Sequence, residues 1–428
     1  MLLSALTLCA LIGDGAPLFA TAPTPAERSI EAATAVVERH PADARAHADL
    51  ALAWARRARE TGDPRFYETA MESVAAARAA DADSFAAGRA EAWIALGQHD
   101  FPRALELATE LNARVPDDLL VYGLLVDARV ELGQYESAIH AAQWMLDLRP
   151  GNIPGLTRAA YLRELTGDID GAVDLMLDSY RRANPRDVED RAWILCHLAH
   201  LEAQRGEHER AEGLATQALE LFPGYHYALA QRGAARRALG DLDGALDDFA
   251  LHFAVADHPE NLVPLAECLE LDGRADEAGL LLARFERAAV AECDQLDNAN
   301  GALIAFWVDR VGTPEAIARA LELSGRELER RGGLASRSDR AWALAAAGEQ
   351  VEAVREIDRA LEIGSRDPLH LFRAGSIRAR AGQAERARQA LEASLAADPR
   401  SSVAAAARAL LESLPQAATA GLPGSLDG

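Results

Sequence analysis

The chain has 428 residues, of which 44 are basic and 67 are acidic, so its net charge is −23 at pH 7. This excess of negative charge argues against broad binding to nucleic-acid phosphates or to an anionic membrane surface. All 44 basic residues are arginine, so a Schiff-base lysine and a phosphate-binding lysine loop are excluded. Half of the residues are hydrophobic but only 5% are aromatic, which favours a helical, core-forming chain.

Residues 1–22 form an apolar leader. The run Leu2 to Ile12 has the length of a signal-peptide core and is too short to cross a bilayer. No arginine precedes the run, and cleavage after Ala20 or after Ala22 both stay open. We therefore predict an exported protein, periplasmic or extracellular. A cytoplasmic protein with an uncleaved apolar leader is the alternative.

After the leader, a helix–turn–helix unit recurs along the chain with a period near 34 residues. Each turn carries a glycine, which is followed by alanine five residues later in the clearest copies. The clear turns lie at Gly133, Gly167, Gly206, Gly240, Gly273, Gly348 and Gly382, and looser copies lie at Gly62, Gly97 and Gly312. Ten copies at a fixed period indicate a repeat array.

The conserved spacing within each copy has a physical reason. The glycine is expected to end the first helix in a left-handed conformation. A small residue, such as Ala160 or Gly233, stands seven positions before the glycine in nearly every copy. Small side chains there let two helices approach closely. Asp168 and Asp241 follow their glycines and are expected to cap the second helix, so the acidic strings around them do not predict calcium loops.

At this point the sequence resembles the tetratricopeptide repeat (TPR) family. The best copies are Tyr227 to Pro259 and Leu371 to Pro399, and the resemblance covers residues 26 to 413. It implies an all-α, right-handed superhelical solenoid of about ten antiparallel helix pairs. It also implies a protein or peptide partner in a concave groove, but no particular partner, because the family binds many. The family's early aromatic residue is mostly replaced here by leucine or alanine.

The expected organisation follows chain order. Residues 23–41 form an N-terminal capping helix, and residues 42–286 form TPR-like repeats. Residues 287–334 are irregular and are predicted to bend the solenoid. Residues 335–414 resume the repeats and include a closing helix, because a stack must cover its last apolar face. Residues 415–428, rich in small residues, glycine and proline, are predicted to be disordered.

Side chains 6, 10 and 13 residues before each turn glycine share one face of the first helix, and Arg237, three residues before Gly240, lies on the same face. We call this set the stripe. In the family the corresponding stripe lines the groove. The partner-binding residues predicted from it are Tyr161, Trp193, His200, Tyr227, Arg237 and Glu267. Tyrosine, tryptophan and arginine dominate interface energies, and Arg237 is the candidate to bind a carboxylate. The alternative is that these aromatic rings pack between neighbouring repeats.

No catalytic or metal-binding motif is evident. Cys196 and His200 share a helix face, but no second ligand pair accompanies them, so we predict no metal site and no cofactor. The four cysteines fit no CxxC pattern. We expect mostly reduced, buried thiols, with a Cys268–Cys293 disulfide as the alternative. The sequence therefore predicts a non-enzymatic interaction scaffold in an exported or envelope-associated assembly. A cytoplasmic adaptor and the substrate-recruiting subunit of an enzyme complex stay open.

Overall fold

The computed structural model describes residues 23–296, 298 and 300–415, so the leader and residues 416–428 lie outside the described part. Within those ranges the chain is helical and contains no strand. The described residues form an all-α solenoid of packed helix pairs, as the repeat predicts. No helix among them is long and apolar enough to span a membrane.

The helices, numbered in chain order, have the following bounds. The first eleven are α1 Pro25–Arg39, α2 Ala44–Thr61, α3 Arg65–Ala80, α4 Phe85–Gly97, α5 Phe101–Arg114, α6 Leu119–Glu131, α7 Tyr135–Leu148, α8 Ile153–Leu165, α9 Ile169–Arg182, α10 Val188–Gln204 and α11 His208–Leu221. The others are α12 His226–Leu239, α13 Leu242–Val255, α14 Leu262–Leu271, α15 Ala275–Glu292, α16 Asn300–Phe306, α17 Pro314–Arg330, α18 Leu334–Ala346, α19 Gln350–Leu361, α20 Pro368–Arg380, α21 Ala384–Ala397 and α22 Ala404–Ser413.

From α2 onward, each even-numbered helix packs against the helix that follows it, and small residues make the crossings tight. Ala160 and Ala199, seven residues before their turn glycines, are fully buried. A Cβ added to Gly375 would come within 2.6 Å of Leu391 on the partner helix. Asp168 accepts the backbone N–H of Gly171, and Asp241 accepts that of Gly244, so both cap their second helices as expected.

Nine of the ten predicted turn glycines have positive φ, in agreement with a left-handed helix end. The prediction is wrong at Gly97, because α4 runs through it and His99 (φ 61°) takes the left-handed position. A residue without a side chain is needed at position 97 for another reason. A Cβ there would overlap the Tyr67 side chain, so the glycine allows α3 and α4 to approach each other.

The irregular stretch after α15 contains a short α16 that continues into a π-helical turn, Trp307–Val311. Trp307 is buried, and its indole N–H donates to Glu286 at 2.9 Å. Cys268 and Cys293 pack in the same core as free thiols, and Cys196 is likewise free. Of these three residues, Cys196 and Cys268 are buried and Cys293 is half-buried.

The second half of the solenoid packs directly onto the first half, at contacts between residues 190 to 199 positions apart. We call these contacts the seam. The Leu334 N–H donates to the Tyr135 hydroxyl at 2.6 Å, and His208 bonds Asp398 at 3.0 Å. Arg400 donates to the Gly206 carbonyl at 2.7 Å. In each case, a turn inside one helix pair meets a loop between pairs one superhelical turn later.

The C-terminal end of α2 makes similar contacts earlier in the chain. The carbonyls of Arg59 and Gly62 accept bonds from His226 at 3.0 Å and from His258 at 2.5 Å. Burial lowers the pKa of His226 to about 4, so the neutral imidazole donates its Nε2–H here. These bonds extend the contact between successive turns to the first repeat.

Gly133 provides a test of the seam. It has φ +72°, and a Cβ would overlap the carbonyl oxygen of Gly332 in the next superhelical turn. Gly240 has φ +85° with nothing within 4 Å of its Cβ position. Both substitutions to alanine cost the left-handed strain of roughly 1–2 kcal/mol. Only Gly133→Ala also clashes with backbone, so we expect it to lower the free energy of unfolding more than Gly240→Ala does.

Chemical denaturation of the two variants beside the original chain measures this difference. A backbone clash cannot be relieved by a rotamer change, so the extra loss at Gly133 is expected to be about 1–3 kcal/mol. Equal losses in the two variants would mean that residues 133 and 332 are not in contact in solution.

Candidate binding surfaces along the stripe

Three of the predicted partner-binding residues, Tyr161, Trp193 and His200, lie around His197 on α8 and α10. The ring of Tyr161 meets His197 edge-on at 6.1 Å between centroids, and Trp193 lies 5.6 Å from it. His200 follows at 5.9 Å. The α-helical spacing of residues 193, 197 and 200 places them on one face of α10. The structure thus brings these three predicted residues together through a residue that the stripe omits.

Glu164 of α8 is the polar centre of this cluster. Its carboxylate accepts His197 Nε2 at 2.8 Å, His200 Nε2 at 2.9 Å and Gln204 Nε2 at 3.0 Å. Burial alone would raise the pKa of Glu164, but the bonds from both histidines hold it well below its ordinary value. Burial would lower the pKa of His200, but the bond and charge of Glu164 raise it. The pair is therefore an ion pair near neutral pH.

This cluster forms one wall of a pocket of about 180 Å³ that lies across the seam. We call it the inter-turn pocket. The first superhelical turn contributes Glu131, Tyr161, Glu164 and His200, among others, and the second contributes Ser336, Asp367 and His370. Burial raises the pKa of Glu131 and of the Tyr161 hydroxyl, so both groups favour their neutral forms more than usual. Three acidic residues, Glu131, Glu164 and Asp367, line the pocket, which is assembled from distant parts of the chain.

Tyr227 belongs to a different group of rings at the start of α12. It remains 40% exposed, with its ring 5.5 Å from that of buried Tyr225 and 4.0 Å from that of His226. The Tyr225 hydroxyl donates to Glu189 at 3.0 Å. Tyr227 therefore presents one ring face outward from a support that is fixed by buried neighbours.

The remaining two predicted residues, Arg237 and Glu267, form an ion pair with each other at 2.7 Å. Arg310 and Glu270 pair at the same distance beside them, and Arg310 lies 3.9 Å from Glu267. Arg237 was predicted to bind a partner's carboxylate, but in the structure it already has one from Glu267. A partner would have to displace Glu267 to use Arg237.

A second pocket, of about 440 Å³, lies near the end of the solenoid between α18, α20 and α22. We call it the end pocket. Four stripe residues line it, Trp342, Leu369, Phe372 and Ser376, together with Ala379. Val403, Ala406 and Leu410 of α22 form the opposite wall, and Asp309, Arg373 and Arg380 complete the lining. The stripe thus lines this pocket as well as one wall of the inter-turn pocket.

A third cluster is acidic. Asp187, Glu189 and Asp190 bring one carboxylate oxygen each within 4.8 Å of one another at the start of α10. Arg56 and Arg59 of α2 already form ion pairs with this cluster, including Arg56 with Asp187 at 2.5 Å and Arg59 with Glu189. Arginine thus provides the positive charge that a cation would otherwise supply. We assign no metal to this cluster.

Sequence reasoning missed Glu164, although a signal was present. Glu164 stands three residues before Gly167, the position at which Arg237 stands before Gly240. It also missed Ser336, Asp367 and His370, and no sequence signal locates them. Their position in the inter-turn pocket depends on the pitch of the superhelix, which cannot be derived from the repeat period.

The ion pair between Glu164 and His200 predicts a pH response. Because folding lowers the pKa of Glu164, the charged carboxylate stabilises the fold at pH values above its ordinary pKa of 4.5. This contribution is lost as the pH falls into the acid range. Because folding raises the pKa of His200, the protonated ring stabilises the fold at pH values below its ordinary pKa of 6.5. This contribution is lost as the pH rises through the pKa of His200 in the folded state. In Glu164→Gln the charge disappears, so the His200 pKa should fall relative to that of the original chain.

A proton NMR titration of the His200 ring in the intact chain measures this shift. Glu136→Gln is a matched control, because Glu136 is exposed on α7. Near-ultraviolet circular dichroism establishes that both variants keep their tertiary packing. A His200 pKa that is equal in Glu164→Gln and in the original chain would contradict the assigned ion pair.

No protein-family model matches the chain. No curated protein matches it either. Solved structures show similarity in fold. The crystal structure of the APC/C hetero-tetramer Cut9–Hcn1 contains a chain with a TM-score of 0.49 and 16% identity, and the match covers 86% of this chain but only 62% of that one. The human IFIT1 dimer with PPP-AAAA has a TM-score of 0.46 and 12% identity, and the match covers 87% of this chain and 95% of that one. PilW, a widely conserved type IV pilus biogenesis factor, has a TM-score of 0.41 and 13% identity, and the match covers 47% of this chain and 91% of that one. Similarity at this level carries no argument about function.

Proposed function

We propose that this protein is a non-catalytic scaffold that binds a protein or peptide partner along the stripe. One observation carries the proposal. The stripe, which was defined from the repeat alone, lines the end pocket with four residues and supplies Tyr161 and His200 to the inter-turn pocket. Concave sites of this size with a few polar groups are the usual places where ligands bind.

The proposed anchors are Trp193 and Tyr227, on two successive first helices. Trp193 is half-buried against His197, and Tyr227 keeps 40% of its surface exposed. A large ring that is held by buried neighbours loses little entropy when a partner covers it, which is typical of residues that dominate binding energy. Arg237 and Glu267, paired with each other, would contribute mainly to the shape of the site.

The proposal includes neither catalysis nor a nucleic-acid partner. The net charge of −23 supports the exclusion of a nucleic-acid partner, because phosphate would be repelled over most of the surface. The ionisable groups around Glu164 hold one another in fixed hydrogen bonds. That arrangement supports a structural role for them more than an acid–base role.

The apolar leader Leu2 to Ile12 supports placing this scaffold in an exported or envelope-associated assembly. A cytoplasmic adaptor would leave the leader intact. A substrate-recruiting subunit would copurify with a catalytic chain. The identity of the partner distinguishes these versions of the proposal.

Two tryptophan substitutions test the proposed surface. Trp193→Ala removes a stripe ring, whereas Trp144→Ala removes a ring that is 47% exposed on α7, a second helix of its pair. Affinity capture from the native cell is made with both variants and with the original chain. We expect Trp193→Ala to lose a captured partner at least tenfold, because anchor residues typically cost 2 kcal/mol or more on truncation. Trp144→Ala should retain that partner.

Helicity and thermal unfolding of both variants are measured first, so that loss of folding is not mistaken for loss of binding. Tyr227→Phe, which keeps the ring, should retain the partner that Tyr227→Ala loses. If all variants capture the same partners as the original chain, the stripe is not the binding surface.

A further inference from the structure

The end pocket contains a polar group that the fold does not satisfy. Ser376 is only 5% exposed, lines the pocket, and its hydroxyl has no hydrogen-bond partner among the described residues. A buried hydroxyl without a partner is unfavourable, because it has lost its hydrogen bonds to water. The hydroxyl oxygen is itself shielded from solvent, so a bound ligand could complete its hydrogen bond only after the Ser376 side chain changes its rotamer.

Apolar side chains surround this hydroxyl. Trp342, Leu369 and Phe372 form one wall, and the rings of Trp342 and Phe372 lie 6.3 Å apart. Val403 and Leu410 of α22 face them across the pocket. The Trp342 indole N–H donates to Asp309 at 2.8 Å, which fixes the ring in place. This part of the pocket fits a large apolar side chain.

Arginine gives the rim a positive charge. Arg380 is exposed, lies 5.1 Å from the Trp342 ring centroid, and forms no ion pair with a carboxylate in the part of the chain that the structure describes. Arg373 is buried and paired with Asp339 at 2.6 Å. Asp309 is the single acidic residue that lines the pocket, and Asp339 neutralises Arg373, so Arg380 is the lining arginine without a carboxylate partner. The charge of Arg380 is opposite in sign to the chain's net −23.

Arg380 is in a favourable state to bind an anion. Stacking on Trp342 restricts the guanidinium without using its N–H donors, which stay available at the rim. A guanidinium binds a carboxylate through two parallel hydrogen bonds. The exposed carboxylate of Asp309 can accept a hydrogen bond from an N–H group of a peptide main chain. These features together select both the side chains and the backbone of a peptide.

We propose that the end pocket binds a partner's peptide segment in which a large apolar residue lies next to an aspartate or glutamate. The apolar side chain enters between Trp342, Phe372 and Leu410, and the carboxylate bonds Arg380. The proposal rests on the proposed function and names the chemistry of one partner segment. It differs from the predicted anchors Trp193 and Tyr227, which lie on α10 and α12.

Selection from a phage-displayed library of random heptapeptides on the intact chain tests this pocket. We expect enrichment of sequences in which leucine, isoleucine, phenylalanine, tryptophan or methionine adjoins aspartate or glutamate. The most enriched heptapeptide is then synthesised with both ends capped, so that a side-chain carboxylate and not a chain terminus is tested. Its affinity is measured by fluorescence polarisation.

Three variants identify the site of binding. Arg380→Gln should weaken the capped peptide at least tenfold, because a charge-assisted hydrogen bond contributes about 1.5–3 kcal/mol. Phe372→Ala should weaken it by a similar factor. Arg386→Gln is the matched control, since Arg386 is half-exposed on α21, pairs with Asp358 at 2.9 Å and does not line the pocket. It should bind the peptide unchanged.

Three outcomes would overturn the proposal: no enriched motif, a motif of apolar and basic residues, or an apolar–acidic peptide whose affinity is equal in Arg380→Gln and Arg386→Gln. The proposed function has a separate test in Trp193→Ala. If that variant loses its partner while the library yields no apolar–acidic motif, the scaffold stands and the end pocket is not its peptide site. If the motif is found but Trp193→Ala keeps every partner, binding is confined to the end pocket.

Discussion

The packing of the second superhelical turn on the first is the constraint on which the rest of this structure depends. It requires very small residues where backbone meets backbone, as at Gly133 against Gly332 and Gly167 against Gly364. It also uses polar bonds between residues nearly 200 positions apart, such as that from Leu334 to Tyr135. A solenoid is usually stabilised by neighbouring repeats alone. Here the seam adds long-range contacts, so the chain is expected to unfold more cooperatively than a simple stack.

The seam also determines which parts of the stripe are accessible. Tyr161 and His200 face the second superhelical turn and line the inter-turn pocket with Asp367 and His370. The charged stripe residues Arg237 and Glu267 are already paired. Trp193, Tyr227 and the end pocket are left as surfaces that present rings or an unpaired arginine. Under the proposed function, a partner is therefore expected to use aromatic contacts first and ionic contacts near Arg380.

Local features of the fold follow from the sequence, because each depends on a few neighbouring residues. The left-handed glycines, the small residues at the helix crossings and the caps at Asp168 and Asp241 are all readable from one repeat. Gly97 shows the limit of this reasoning. Its turn places His99 in the left-handed position, and the glycine is needed for contact with Tyr67. The seam could not be predicted, since small differences in each repeat accumulate into the pitch. For the same reason, sequence could identify Tyr161 and His200 but not the residues that face them.

The most direct test of this account is a distance measured across the seam. Spin labels are attached at Glu209→Cys and Arg400→Cys, in a chain whose native cysteines are replaced by alanine. In the structure these two residues form an ion pair at 3.3 Å although they are 191 positions apart. The continuous-wave electron paramagnetic resonance spectrum of the doubly labelled chain should show strong dipolar broadening relative to the two singly labelled chains. A spectrum without broadening would mean that the two superhelical turns separate in solution, which would contradict both the seam and the inter-turn pocket.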